Sequence, residues 1–252
     1  MYGVIIASGI LLALLVGEKL AKGIKIDTIT YWSSSLWAII GGVVGARVYH
    51  IIDLWETYSL NPIAILDLRL GGLGIYGALI GGSIGLIAYF LVIKRDMFDY
   101  LDLAAVIVPL GQAVGRWGNF ANMEIPGKPT GLPWGMYLPP TNRPPQYTFY
   151  DTFHPLFLYE SLLDMFLFFA LLLLYQRKIM FERKGKQPEK IYCLKGFFTL
   201  AYFTGYGIIR FGLEGLRIDP WTISGINVAQ AISLGFILIG LFSLKIISTR
   251  LR

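Results

Sequence analysis

Arg116, Asn119, Asn122 and Glu124 fall within nine residues, in the stretch GRWGNFANMEIPG that runs from Gly115 to Gly127. Arginine offers a planar fork that suits phosphate or carboxylate, and glycine lets a backbone come close to a ligand. The stretch follows an apolar run, and polar and charged groups near lipid are costly unless they have a task. It therefore reads as an anion site at a membrane boundary. The competing structural reading is a polar knot at a helix end, with Arg116 paired to Glu124.

Three more constellations carry chemistry. Tyr206, Arg210, Glu214 and Arg217 fall at i, i+4, i+8 and i+11, one face of a helix. They form either an anion clamp held by Glu214 or a buried ion-pair ladder that fixes packing. His154-Pro155 opens an apolar run, with Glu160 and Asp164 one turn apart inside it. Acidic groups in such a run face a polar interior. Gly71, Gly72, Gly74, Gly77, Gly81 and Gly82 surround Tyr76, and glycines at this density let membrane helices pack backbone to backbone.

The elements that position these residues are membrane helices. The 252 residues are 55% hydrophobic and 15% charged, with a mean hydropathy of +0.60, too apolar for a soluble domain. Seven segments approach the roughly 20 apolar residues that cross a bilayer: 2–17, 28–46, 71–93, 99–115, 154–175, 194–213 and 222–243. The predicted fold is all-α, one polytopic transmembrane domain over residues 1–252. An outer loop spans 47–70, a Pro- and Gly-rich outer cap spans 116–153, and a cytoplasmic loop spans 176–193. No basic residue precedes the first run, which argues against a signal peptide.

Of the 22 Lys and Arg, fifteen fall in one set of loops and seven in the other. The positive-inside bias places the larger set in the cytoplasm, the N-terminus outside and the C-terminus inside. The outward set is six arginines (Arg47, Arg69, Arg116, Arg143, Arg210, Arg217) and Lys128. Arginines placed against the bias need another reason, and anion binding supplies one. The net charge of +6 fits anionic membrane lipids. It does not point to nucleic acid, because the basic run 177–190 lies beside an apolar span. The single cysteine, Cys193, forms no internal disulfide and reads as a buried hydrophobe. Two histidines and one cysteine do not make a zinc site. Nucleotide-binding and serine-hydrolase motifs are missing, so neither a metal nor a cofactor is expected.

The GRWGNFANMEIPG stretch resembles the signature of the bacterial prolipoprotein diacylglyceryl transferases, G-R-x-G-N-F-x-N-x-E-x-x-G, at all eight fixed positions. The segment from His154 to Glu160 resembles the family's H-P-x-x-L-Y-E motif. The Tyr206, Arg210, Glu214, Arg217 series, Arg47 within GARVY, and Tyr2-Gly3 match further motifs in order. Family members usually carry a segment before that Tyr, so either the true start is expected upstream or the short outer N-terminal segment is expected to be missing. The resemblance implies transfer of a diacylglyceryl group from phosphatidylglycerol, in the outer leaflet of the bacterial cytoplasmic membrane, to the lipobox cysteine of prolipoproteins. A thioether forms and a glycerol phosphate leaves.

The resemblance also implies site roles. Arg116, Arg210 and Tyr76 are the catalytic candidates. Tyr2, Arg47, Asn119, Asn122, Glu124, Gly127, His154, Glu160, Tyr206, Glu214 and Arg217 are the substrate-binding ones. Glu124 and Glu214 are expected to hold the arginines. Relatives often have His at the position of Tyr76, in an H-G-G pattern that has been given a general-base role. Here the sequence is Tyr76-Gly77-Ala78, which sets a simple histidine base aside. On the residues alone, a transporter or receptor for an anion and a different lipid-phosphate transferase stay open.

Overall fold

The fold is given by a computed structural model, which describes residues 1–24, 26–60, 65, 74–124, 126–183 and 194–250. Gly71, Gly72, Arg69, the Asn61-Pro62 turn, Cys193 and the lysines at 184, 186 and 190 lie outside the described residues. The described chain is mostly helical: α1 (Tyr2–Gly23), α2 (Thr28–Asp53), α3 (Trp55–Leu60), α4 (Ile75–Ile93), α5 (Phe98–Ala121), α6 (Leu156–Arg183), α7 (Phe197–Glu214) and α8 (Val228–Arg250). Five of these, α1, α2, α4, α5 and α6, are long and apolar enough to cross a membrane. The protein is an all-helical polytopic membrane protein. Helices α7 and α8 fall on the sixth and seventh predicted segments, and α8 is apolar from Val228 to Ser243.

The helices group into two compact units, 1–24 with 98–252, and 25–97. In the smaller unit α2 and α4 pack through glycine. Gly41 and Gly45 of α2 lie against Gly77, Gly81 and Gly85 of α4, so that a Cβ on Gly81 would strike the Gly41 carbonyl and sit 2.8 Å from the Gly45 Cα. Only glycine permits this approach. Asp27 caps α2 by accepting from the Thr30 N–H (3.0 Å) and hydroxyl (2.6 Å). The Thr30 hydroxyl, first, and its N–H hold the Asp27 carboxyl below the ordinary carboxylate range.

In the larger unit α5 is the hub, packing on α1, α6 and α7. Asp102, an acid within the fourth predicted segment, is buried and caps a neighbour. Its Oδ2 accepts from Gly196 N–H (2.9 Å), and its Oδ1 accepts from the Thr199 N–H (2.9 Å) and hydroxyl (2.8 Å). Gly196 holds a left-handed conformation (φ 85°) to begin α7 there.

Several element ends depart from the predicted ones. Helix α2 continues through Arg47 to Asp53, and α3 follows, so the connection predicted from residue 47 starts later. Helix α5 continues through Arg116 and Asn119 to Ala121, so these two residues stand on a rigid helix and not in the cap. Helix α6 runs on past 175 to Arg183. Good helix formers and basic residues favour a helix C-terminus, and Lys178 is buried over Tyr175 and Phe198.

Two short strand pairs accompany the helices. Within the cap, β1 (Met136–Tyr137) pairs antiparallel with β2 (Thr152–Phe153), and β3 (Thr222–Ile223) pairs with β4 (Ile226–Asn227) between α7 and α8. Leu138 and Phe153, both within the cap, are fully buried. Arg143 is consumed there: it pairs with Asp151 (2.7 Å) and donates to the Leu138 and Thr148 carbonyls. For this arginine the reason is cap structure, not anion binding.

Candidate active site

The ends of α5, α6 and α7 meet in the larger unit. Arg116 comes from the last two turns of α5, Glu160 from the second turn of α6, and Tyr206, Arg210 and Glu214 from the last turns of α7. Arg217 follows in the turn after α7. Arg116 pairs with Glu160 Oε1. Arg210 reaches Glu160 Oε2 with Nη1 (3.6 Å) and Glu214 Oε2 with Nη2 (2.9 Å). Arg217 Nη1 lies 3.6 Å from the same Glu214 oxygen. That oxygen takes no aligned hydrogen bond from either, so the contact is one of charge. The result is an alternating ladder, Arg116–Glu160–Arg210–Glu214–Arg217, with the Tyr206 hydroxyl a further partner of Arg116.

The carboxylates and the arginines differ in exposure. Glu160 and Glu214 are buried, while the guanidiniums of Arg116, Arg210 and Arg217 keep about a fifth to a quarter of their surface open. Arg116, Arg210, Arg217, Asn119 and Glu160 line one recess together with Leu156, Phe157 and Leu213. Two kinds of surface therefore meet: charge-assisted donors for an anion and an apolar wall.

Arg116 pairs with Glu160, not with Glu124. Glu124 lies exposed at the end of the signature and accepts from Asn122 Nδ2 (3.0 Å). The expectation that Glu124 holds an arginine is therefore corrected, and Glu160 does so for two of them. The spacing gave no sign of this, because the partner sits on another helix.

The glycines of the signature have steric reasons. A Cβ on Gly118 would meet the Tyr2 ring at 2.8 Å, which joins the chain start to α5. A Cβ on Gly127 would meet the His154 Cβ at 2.7 Å. Gly127 N–H donates to the His154 carbonyl (3.0 Å) and Lys128 N–H to the Leu216 carbonyl (2.8 Å). His154 Nδ1 lies 3.2 Å from the Tyr159 hydroxyl, which also accepts from Trp134 Nε1 (2.8 Å). Trp134, which the sequence reading did not single out, and Tyr159, the tyrosine of the H-P-x-x-L-Y-E segment, complete a polar chain at the cap.

Arg47 and Tyr76 belong to the smaller unit. Arg47 is buried, donates through Nε to the Ile65 carbonyl (2.9 Å) and lies over the Tyr58 ring. Tyr76 sits in the first turn of α4 with its ring 6.1 Å from that of Tyr49, and is 40% exposed. Among the described residues no group of three or more His, Cys, Asp or Glu side chains could hold a metal ion.

A family model described as prolipoprotein diacylglyceryl transferase matches residues 1–246. The chain belongs to this family. It is 35% identical to the phosphatidylglycerol--prolipoprotein diacylglyceryl transferase of Trichormus variabilis, over all of this chain and 86% of that one. It is 37% identical to the protein of the same name from Synechococcus elongatus, over 96% of this chain and 81% of the relative. The Synechocystis protein of that name is 35% identical, over 95% and 82%. In this diacylglyceryl transferase family member the signature arginine, the H-P-x-x-L-Y-E glutamate and the α7 arginine are in direct contact.

Proposed function

We propose that this chain is an enzyme that moves the diacylglyceryl group of phosphatidylglycerol onto the thiol of a prolipoprotein's lipobox cysteine. The products are a thioether and a glycerol phosphate. The observation that carries the reading is the recess in which Arg116 and Arg210 share Glu160 beside an apolar wall, in a chain matched by the family along 1–246. The apolar side suits acyl chains and the arginines suit the phosphate between them and the headgroup.

A thiolate attacks the glyceryl carbon, and the carbon–oxygen bond to phosphate breaks with negative charge growing on the departing phosphate. Donors already aimed at that charge lower the barrier most. Arg116 and Arg210 act on the phosphate oxygens, and Asn119, buried on α5, adds an amide donor. Asn122, Glu124, Gly127, His154 and Arg217 shape the entrance, with Tyr206 and Glu214 setting the arginines. Arg47 and Tyr2 support substrate binding. An ordinary thiol with pKa ~8.5 is only a few per cent thiolate near neutrality, and guanidinium charge raises that fraction. Purified protein incubated with phosphatidylglycerol and a lipobox peptide should give the diacylglyceryl thioether by mass. A peptide returned unmodified with lipid intact would sink the reading, and saturable anion movement without turnover would favour a transporter.

Tyr76 orients the incoming thiol through its hydroxyl. Tyr76→Phe removes only that hydroxyl and should lower turnover at least about tenfold, or about 1.4 kcal/mol in barrier. Tyr76→His should retain more activity than Phe. Full activity of the Phe variant across roughly pH 6 to 9 would leave Tyr76 as packing, with the thiol activated by the arginine field alone.

The chain crosses the bacterial cytoplasmic membrane seven times, N-terminus outside, C-terminus inside, with the recess toward the outer leaflet. The loop charges support this orientation. In a Cys193→Ser background, Thr141→Cys should react with an impermeant reagent on intact cells and Lys186→Cys should not. The opposite pattern would reverse the topology.

A further inference from the structure

Three arginines line the recess, and they are not anchored alike. Arg116 donates an aligned hydrogen bond to Glu160 and also partners Tyr206. Arg210 lies between Glu160 and Glu214, 2.9 Å from the latter. Among the described residues Arg217 has a single ion-pair partner, Glu214 at 3.6 Å, and its guanidinium gives no aligned hydrogen bond. It is also the most open of the three, with 26% of its side chain exposed. Its main chain is nonetheless fixed. Arg217 pairs antiparallel with Gly127, and its N–H donates to the Glu214 carbonyl (3.2 Å). A guanidinium with unspent donors, on a fixed backbone at an anion site, is poised for an oxygen that a ligand brings. Releasing Glu214 strands no charge, because Arg210 stays on the same oxygen.

We infer that Arg217 is a catalytic residue that binds the phosphate oxygen released when the glyceryl carbon–oxygen bond breaks. The inference rests on reading the recess as the phosphate site of the proposed reaction. A phosphodiester carries one negative charge over two terminal oxygens. As the thiolate sulfur bonds to the glyceryl carbon, the electron pair of the carbon–oxygen bond stays on oxygen. That oxygen becomes a third terminal one, and the departing glycerol phosphate carries two negative charges. The thiol proton has gone to solvent before the attack, so charge balances. Arg116 and Arg210 answer the two oxygens present from the start. The third has little charge to attract a donor until its bond stretches. A donor engaged only then lowers the barrier without tightening the hold on substrate. Arg217 has that character, since it lines the same recess and is held there by one long charge contact.

Two measurements on the full chain in detergent test this. The first is thioether formation from phosphatidylglycerol and a lipobox peptide, split into kcat and KM. Arg217→Gln should lower kcat about 100-fold or more and leave the KM for phosphatidylglycerol within about twofold. Arg217→Lys should recover part of kcat. A raised KM with kcat intact would overturn the inference and leave Arg217 as an entrance residue. The second measurement needs no turnover. It is calorimetric binding of glycerol phosphate, with three terminal oxygens, and of glycerophosphoglycerol, with two. At about pH 8 the phosphomonoester, with a second pKa of about 6, is a dianion. Arg217→Gln should weaken glycerol phosphate at least about tenfold more than glycerophosphoglycerol. Equal weakening of both, or of neither, would overturn the inference. Should the Gln variant melt early, Arg217→Lys carries both readouts in the same direction and smaller in size. A wild-type chain that forms no thioether yet shows the affinity difference would defeat the transfer reading and keep Arg217 as the ligand of a third phosphate oxygen. No wild-type binding of either phosphate would overturn the anion site and the inference together.

Discussion

Arg210→Lys should keep the helical bundle and lose most of the turnover. Arg210 spans two carboxylates with two different nitrogens, Nη1 toward Glu160 and Nη2 toward Glu214. A lysine ammonium is a single point of charge and cannot copy that fork. It can still answer one carboxylate, so no buried charge is stranded and folding is spared. Arg116→Lys should act alike, since Arg116 joins Glu160 and the Tyr206 hydroxyl at once. Loss of one preorganised donor to a developing anion commonly costs about 100- to 1000-fold in rate. Initial rates of thioether formation, set beside thermal melting of the same preparations, check both variants. Lys variants as fast as wild type would remove the bidentate clamp. Variants that fail to melt cooperatively would return the ladder to a purely structural role.

Gly81→Leu should remove the folded 25–97 unit altogether. The Cα of Gly81 faces the Gly41 carbonyl and the Gly45 Cα, backbone against backbone, so no flexible side chain can move aside. Overpacking a well-filled core costs about 1–3 kcal/mol where neighbours can adjust. Here two helix axes must separate, and the cost exceeds that range. Gly42→Ala on the facing helix α2 is the control: its Cβ would meet the Ala78 carbonyl at 3.4 Å and the Gly82 Cα at 3.9 Å, which is ordinary contact. Melting temperature and protease resistance should fall sharply for the leucine variant and stay near wild type for the alanine one. Equal stability of the two would remove the glycine interface as the source of packing.

The polar residues that gather at the recess were legible because membrane sequences tolerate so few of them: Arg116, Asn119, Glu160 and Arg210 stand out against apolar runs. Helical spacing also gave the Tyr206, Arg210, Glu214 stripe. Which carboxylate meets which arginine was not legible. Glu124 is eight residues from Arg116 and Glu160 is forty-four, yet Glu160 is the partner, because α5 and α6 are packed side by side. Element ends were misread for a related reason. Arg47 and Arg116 looked like loop residues by polarity, but buried partners let both remain on helices. Asp102 is an acid within a predicted span and is a cap for α7, a role visible only once Thr199 is beside it.

The join between cap and bundle carries a rule for building chimeras. Residues 127 and 128 are stitched by main-chain bonds to His154 and Leu216, with the Lys128 ammonium on the Gly215 carbonyl and Gln146 on Asp219. Those anchors sit within a few residues of Glu214 and Arg217. A cap exchanged between relatives as a self-contained cassette would pull on the rungs of the ladder it rests upon. The transplantable piece is the discontinuous pair, roughly the signature through the start of α6 together with the turn after α7.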